Sequence, residues 1–261
     1  MKKPSRLAYA YAVGRIRVLE RKLITRAVFS EASEEKDFTS TMKIIFDAGD
    51  FQEEMVKIQS SDELDVLIEK EEENVYRLMK ELILEEDILS TIIDESRPDK
   101  ALALAERAGN VFIKDYLRYK IDLLNIKILS RSKYSGLSPE DYCGLVLKGG
   151  FLEKRIFLQN YELSFSEIGE KLRSSPYNDL WTKGTDALEE SETFVELERG
   201  IEDFLMTYLR RAKYIVFGPE PVFAYVLAKK RELSLVRLVG VGSLNHIPTE
   251  FLKQRISETY V

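Results

Sequence analysis

A chain of 261 residues that is 44% apolar and 32% charged, with only 13 Gly and 7 Pro, has a globular, helix-leaning composition and enough length to bury a sizeable core. Its single Cys and single His, Cys143 and His246, exclude an internal disulfide, Cys/His zinc clusters and the paired Glu-x-x-His helices of di-iron bundles, and a lone Cys fits a reducing, cytoplasmic compartment. A net charge of −6 with pI near 5.2 argues against nucleic-acid binding, which needs a basic face to replace counterions along the phosphates.

The opening residues are basic, but Arg15, Arg17 and Arg21 interrupt any apolar run long enough for export, so Leu7 to Phe29 is expected to be a helix of the mature protein. No window of about 18 apolar residues occurs, and any membrane association is therefore expected to be indirect. A second helix follows from the three-four spacing of Leu64, Ile68, Val75, Leu78, Leu82, Leu89 and Ile92. Residues 62–95 hold 13 Asp/Glu against Lys70, Arg77 and Lys80, a local net of −10. The run reads either as a solvated helix face or as a means of steering charged partners.

Ser138-Pro139-Glu140-Asp141 combines a capping hydroxyl, a proline that needs no ladder bond and acids over the positive helix end. A helix is expected from there through Leu147, stopped by Gly149-Gly150. Phe194, Leu197, Ile201, Phe204, Tyr208, Ala212 and Ile215 mark one face of a helix of about six turns. After Gly218-Pro219-Glu220-Pro221 another helix begins, and the strand-like run Leu235 to Val241 reads as its apolar end. Gly240-Val241-Gly242 is expected to be a helix–helix turn, and Pro248 and Glu250 to open a last helix reaching Tyr260. The fold class is all-α.

An internal repeat runs through this pattern. Asn125-Ile-Lys127, a glycine turn at Gly136 and Pro139-Glu140 parallel Leu235-Val-Arg237, a glycine turn at Gly242 and Pro248-Thr-Glu250. The Leu7–Phe29 helix starts a weaker third match.

The search for chemistry returns little. Cys143, among Leu145, Val146 and Leu147, reads as a small buried thiol, and His246 as a turn residue rather than a base. No Gly-Lys-Ser/Thr phosphate loop occurs, and Gly240-Val241-Gly242 lacks the third glycine of a dinucleotide fingerprint. The carboxylates of Glu71-Glu72-Glu73 and Glu85-Glu86-Asp87 read as solvated faces, and Arg210-Arg211 and Lys229-Lys230-Arg231 as protein contacts or helix-end charges. Physical reasoning ends at a helical, non-catalytic interaction protein with no catalytic, metal or cofactor site.

Gly218-Pro-Glu-Pro221-Val-Phe-Ala-Tyr225-Val-Leu-Ala-Lys229-Lys-Arg-Glu232-Leu-Ser-Leu-Val-Arg237, followed by Leu244-Asn245-His-Ile-Pro248 and Tyr260-Val261, resembles the end of the C subunit of V-type (A/V-type) ATP synthases. This is also the family of the eukaryotic membrane-sector d subunit. Tyr9-Ala-Tyr11-Ala-Val-Gly14-Arg15-Ile-Arg17 and Asp122-Leu-Leu-Asn125-Ile-Lys127 support the resemblance in the same order along the chain. The chain is shorter than the family implies, chiefly between these blocks, and Lys230 stands where an acid is expected before Glu232. The resemblance implies a funnel-like body of three related helical subdomains, here at 1–110, 111–185 and 186–261. It implies a peripheral protein on the cytoplasmic face of the cell membrane, soluble in itself, without bound nucleotide. Its partners would be the proteolipid rotor ring and the central-stalk subunits D and F, between which it would pass torque. The stalk contact is expected on the inward faces of two helices, with Asp122, Asn125 and Lys127 on one and Tyr225, Lys229, Glu232 and Arg237 on the other. Asp122 and Asn125, one turn apart, also read as an internal hydrogen-bonding pair between subdomains. The rival reading is a helical-repeat adaptor scaffold that grips a soluble protein.

Overall fold

The structure is a computed structural model that describes residues 60–82, 97–215, 218–258 and 260. The expected helix Leu7–Phe29 and the stripe positions Leu89 and Ile92 lie outside the described residues. In chain order the helices are α1 (Ser61–Leu82), α2 (Pro98–Ala108), α3 (Val111–Tyr134), α4 (Pro139–Leu145), α5 (Lys154–Gln159), α6 (Phe165–Leu172), α7 (Asn178–Ser191) and α8 (Val195–Leu209). A 3₁₀ turn at Arg210–Tyr214, α9 (Glu220–Leu244) and α10 (Thr249–Arg255) complete the order. Among the described residues there is no strand, and the fold is all-α. The chain divides into two compact units, one formed by Met1–Leu89 with Leu209–Val261 and one by Ser90–Tyr208.

In the second of these units α3 is the central element. Its buried residues, from Ile113, Tyr116 and Leu117 through Ile121, Asp122 and Asn125 to Leu129 and Ser132, point in all directions, the pattern of a helix enclosed by its neighbours. It starts on an Asn110 cap, whose side chain accepts the Ile113 N–H at 2.9 Å. It packs against α2, α4 and α5. α6 opens with a complete capping box between Ser164 and Glu167 and packs on α7 through Trp181, whose indole N–H donates to the Phe165 carbonyl at 2.9 Å. Gly184 on α7 lets α8 approach closely, since a Cβ there would lie 2.6 Å from Leu197 Cδ1 and 3.0 Å from its Cα.

In the other unit α9 plays the central part. Pro221 through Lys229 are buried without interruption, so the first half of α9 is likewise enclosed. Its second half meets α1 in a core of Leu64, Leu67 and Ile68 against Leu233 and Val236.

The two long helices end alike. After α3 the chain turns through Gly136 at φ 66°, and the Leu137 N–H returns to the Ser132 carbonyl at 2.9 Å. After α9 it turns through His246 at φ 55°, and the Ile247 N–H returns to the Gly242 carbonyl at 2.8 Å. Both are Schellman caps. Each is followed by a seven-residue helix with one buried residue, Tyr142 on α4 and Leu252 on α10. The repeat is therefore present, but its register pairs Gly136 with His246 rather than with Gly242.

Other expectations are corrected by the structure. Ser138 does cap α4, accepting the Asp141 N–H, but the helix stops at Leu145 because both backbone groups of Leu147 are taken by Asn125. Gly149-Gly150 lies beyond this end and is not the stop signal. Cys143 is exposed, since the short α4 turns only Tyr142 inward. The helix marked by Phe194 to Ile215 is α-helical only to Leu209 and tightens to 3₁₀ geometry at Arg210–Tyr214. The three-residue turn sets Arg210 and Lys213 on one side, where Arg210 pairs with Glu258 at 2.7 Å and Lys213 sits 4.7 Å from the Tyr260 ring. Gly240 and Gly242 lie inside α9, not in a turn. A Cβ on either would overlap a leucine, Leu64 of α1 or Leu252 of α10. The last helix ends at Arg255, short of Tyr260.

Candidate partner-contact sites

The residues expected to meet a partner fall into two sets, one in each compact unit. On α3, Arg118, Asp122 and Asn125 follow an i, i+4, i+7 spacing and share one face. All three reach the irregular segment that joins α4 to α5. Asp122 is fully buried and accepts the Phe151 N–H at 2.9 Å, the Leu152 N–H at 3.1 Å and the Tyr177 hydroxyl at 2.7 Å. Asn125 accepts the Leu147 N–H at 2.8 Å and donates to its carbonyl at 3.1 Å. Arg118 donates to the Gly150 carbonyl at 3.2 Å, with its guanidinium 4.0 Å from the Phe151 ring centroid.

Burial raises the Asp122 carboxyl above its ordinary range, and the Tyr177 hydroxyl, the Leu152 and Phe151 amides and the charge of Arg118 offset this in part. Burial also pushes the Tyr177 phenol far up, helped by the negative charge of Asp122, which leaves it a fixed donor. Gly150 makes the approach feasible, because a Cβ there would lie 2.7 Å from Asp122 Cγ and closer still to Oδ1. Sequence reading missed Arg118, Gly150 and Tyr177. The Gly149-Gly150 doublet was the visible signal for close backbone approach.

Lys127 lies on another face of α3, half-exposed, and its ammonium is 2.8 Å from Glu198 of α8. Arg131, one turn on, grips the same oxygen at 2.6 Å. Burial acts to raise the Glu198 carboxyl, but Lys127 and Arg131 together outweigh it and hold the group below its ordinary 4.5.

On α9, Tyr225 is buried. The Lys229 ammonium is 2.8 Å from Glu232, their side chains only 8% and 13% exposed, so the pair is largely withdrawn from solvent. Arg237 is half-exposed and pairs with Asp65 of α1 at 2.9 Å. Past α10, Arg231 donates twice to the Ser257 hydroxyl, at 3.0 and 2.7 Å. Ser257 stands five residues beyond the buried Leu252, as Leu147 stands five beyond Tyr142. In both copies a polar side chain of the long helix thus secures the chain that leaves the short one.

Among the described residues no group of His, Cys, Asp and Glu is arranged to hold a metal ion, and no helix is long and apolar enough to cross a membrane. His246 is exposed in its turn. The arrangement is one of internal polar fastening and packed helices.

Over 238 residues the chain is 26% identical to the C subunit of the A-type ATP synthase of Haloferax volcanii, covering 85% of this chain and 65% of that protein. It is 27% identical to the C subunit of the V-type sodium ATPase of Enterococcus hirae over 60% of this chain and 47% of that protein. The C subunit of the Halobacterium salinarum A-type ATP synthase matches at 26% over 61% of this chain and 45% of its own length. The chain thus spans roughly half to two thirds of the length of these relatives. The sequence profile of the ATP synthase (C/AC39) subunit family matches residues 98–255, from the first residue of α2 to the last of α10, and the chain belongs to that family.

Proposed function

We propose that the chain is a non-catalytic rotor connector of an A/V-type ATPase, linking the proteolipid ring to stalk subunits D and F on the cytoplasmic face of the membrane. In that position it passes torque between ion transport and ATP synthesis or hydrolysis. The observation that carries this reading is the family match across residues 98–255, which takes in α3 and α9 and the short-helix arm that follows each. The physical character of the interior supports it. A torque coupler must deform little, and two enclosed helices, one of them with Leu64 and Leu252 pressed onto its Gly240 and Gly242 backbone, leave little room to yield. Of the residues assigned to partner contact, Lys127 and Arg237 are the half-exposed cations that would meet an acidic surface. Asp122, Asn125, Tyr225, Lys229 and Glu232 hold the frame behind them.

Affinity capture of the tagged chain from its native membranes tests the proposal. Recovery of ring, stalk and nucleotide-binding subunits together is the expected result. Recovery of a soluble client protein without them would favour the adaptor reading and overturn this one.

A further inference from the structure

The segment between α4 and α5 has no regular secondary structure, yet its backbone is not left to water. Both polar groups of Leu147, the carbonyl of Gly150 and the N–H groups of Phe151 and Leu152 are all engaged by side chains of a single face of α3. Arg118, Asp122 and Asn125 thus do for this segment what a neighbouring strand does for a sheet edge, satisfying backbone groups at fixed spacing. Tyr177, at the start of α7, donates to Oδ2 of the acid, the oxygen that also accepts the Phe151 N–H.

The arm that this segment follows is otherwise held through Tyr161, whose ring stacks on Tyr142 at 4.0 Å and whose hydroxyl donates to the Leu137 carbonyl at 2.7 Å. Six of the seven residues of α4 are exposed, and only Tyr142 enters the core. The end of the arm is capped by Lys154, whose ammonium donates to the carbonyls of Cys143 at 2.9 Å and Val146 at 2.7 Å. Lys154 itself belongs to α5, beyond the fastened segment. The position of α4 relative to α3 is therefore fixed at one end by the Schellman turn and at the other by the polar seam.

We propose that Arg118, Asp122 and Asn125 form a stiffening seam that sets how far the α4 arm yields under load, Asp122 being the positioning residue at its centre. The inference rests on the connector reading and assigns a mechanical role inside it. The Tyr142–Tyr161 stack resists separation, but its weak individual atom contacts hold the arm against sliding less firmly than hydrogen bonds do. Hydrogen bonds to a buried carboxylate are short and directional, so the seam resists the shear that torque applies.

The test uses Asp122→Asn, which keeps the side-chain volume but removes the charge, and the milder Tyr177→Phe, which removes one donor and leaves the carboxylate. In the purified chain, amide exchange at Phe151 and Leu152 should accelerate by about tenfold to a hundredfold in Asp122→Asn and less in Tyr177→Phe, as expected for lost bonds to a charged acceptor. In the assembled ATPase the ratio of ions moved to ATP hydrolysed should fall in the same order, with subunit recovery equal to wild type. Exchange unchanged in both variants, or accelerated exchange with an undiminished ion-to-ATP ratio, would overturn the seam while leaving the connector reading intact. Wild-type chain that fails to enter the complex would overturn the connector reading, and this inference with it.

Discussion

Replacing Gly150 with alanine is the most searching single change, since it adds one carbon and attacks the centre of the seam. In most loops the substitution would stabilise by about 0.4–1 kcal/mol, because alanine has less freedom to lose on folding. Here the new Cβ would lie 2.7 Å from Asp122 Cγ and nearer still to Oδ1, so carboxylate and backbone cannot both stay. Displacing the acid breaks its bonds to the Phe151 and Leu152 amides and the Tyr177 hydroxyl, and strands those donors in a site where Asp122 has no exposed surface. Breaking up a buried charge and its partners costs about 3–5 kcal/mol. Part of that is recovered as the segment relaxes toward water, and the alanine term offsets a little more, leaving a net loss of about 2–3 kcal/mol. Urea unfolding followed by far-UV circular dichroism measures it. An Asp122→Ala background supplies the control: with the obstructing carboxylate gone, Gly150→Ala should cost little. Equal losses in both backgrounds, or a stabilised single variant, would refute the reasoning.

Three further outcomes follow from the same geometry. His246→Gly should raise the thermal stability of the chain by about 1 kcal/mol, read by calorimetry, because an exposed non-glycine residue holds φ 55° there. Gly184→Ala should destabilise by about 1–2 kcal/mol in urea titration despite the better helix propensity of alanine, because the Leu197 backbone lies 3.0 Å from the new atom and α8 must move. Glu198 has a depressed carboxyl pKa, so its contribution to stability is present above the unfolded value near 4.5 and is lost as pH falls through its folded value. Glu198→Gln should therefore cost about 0.5–1 kcal/mol at neutral pH, less at high salt, and unfolding curves of variant and wild type should converge below that window.

The helical class and the starts of α4, α9 and α10 were legible because they rest on local rules, whereas those of α2, α3, α5, α6 and α7 were not read. Ser138 caps α4 as its type predicts, and the Gly-Pro punctuation before α9 outweighed the strand-like look of Leu235 to Val241. Helix ends were less legible, since distant residues set them: Asn125 claims Leu147 from 22 positions away, and Glu258 and Tyr260 draw the end of the α8 region into a 3₁₀ turn. Gly240 and Gly242 looked like a turn because sequence does not show that Leu64 and Leu252 press on them. The same limit applies to the seam. Asp122 and Asn125 stood out through family resemblance, whereas Tyr177, 55 residues away, carried no local mark.

Removal and return of the chain in a purified A/V-type ATPase tests the connector role most directly. Without it, ATP hydrolysis by the remaining assembly should continue while ion transport stops, and adding back the wild-type chain should restore transport driven by ATP. Ion transport that persists at full rate in its absence would contradict the account.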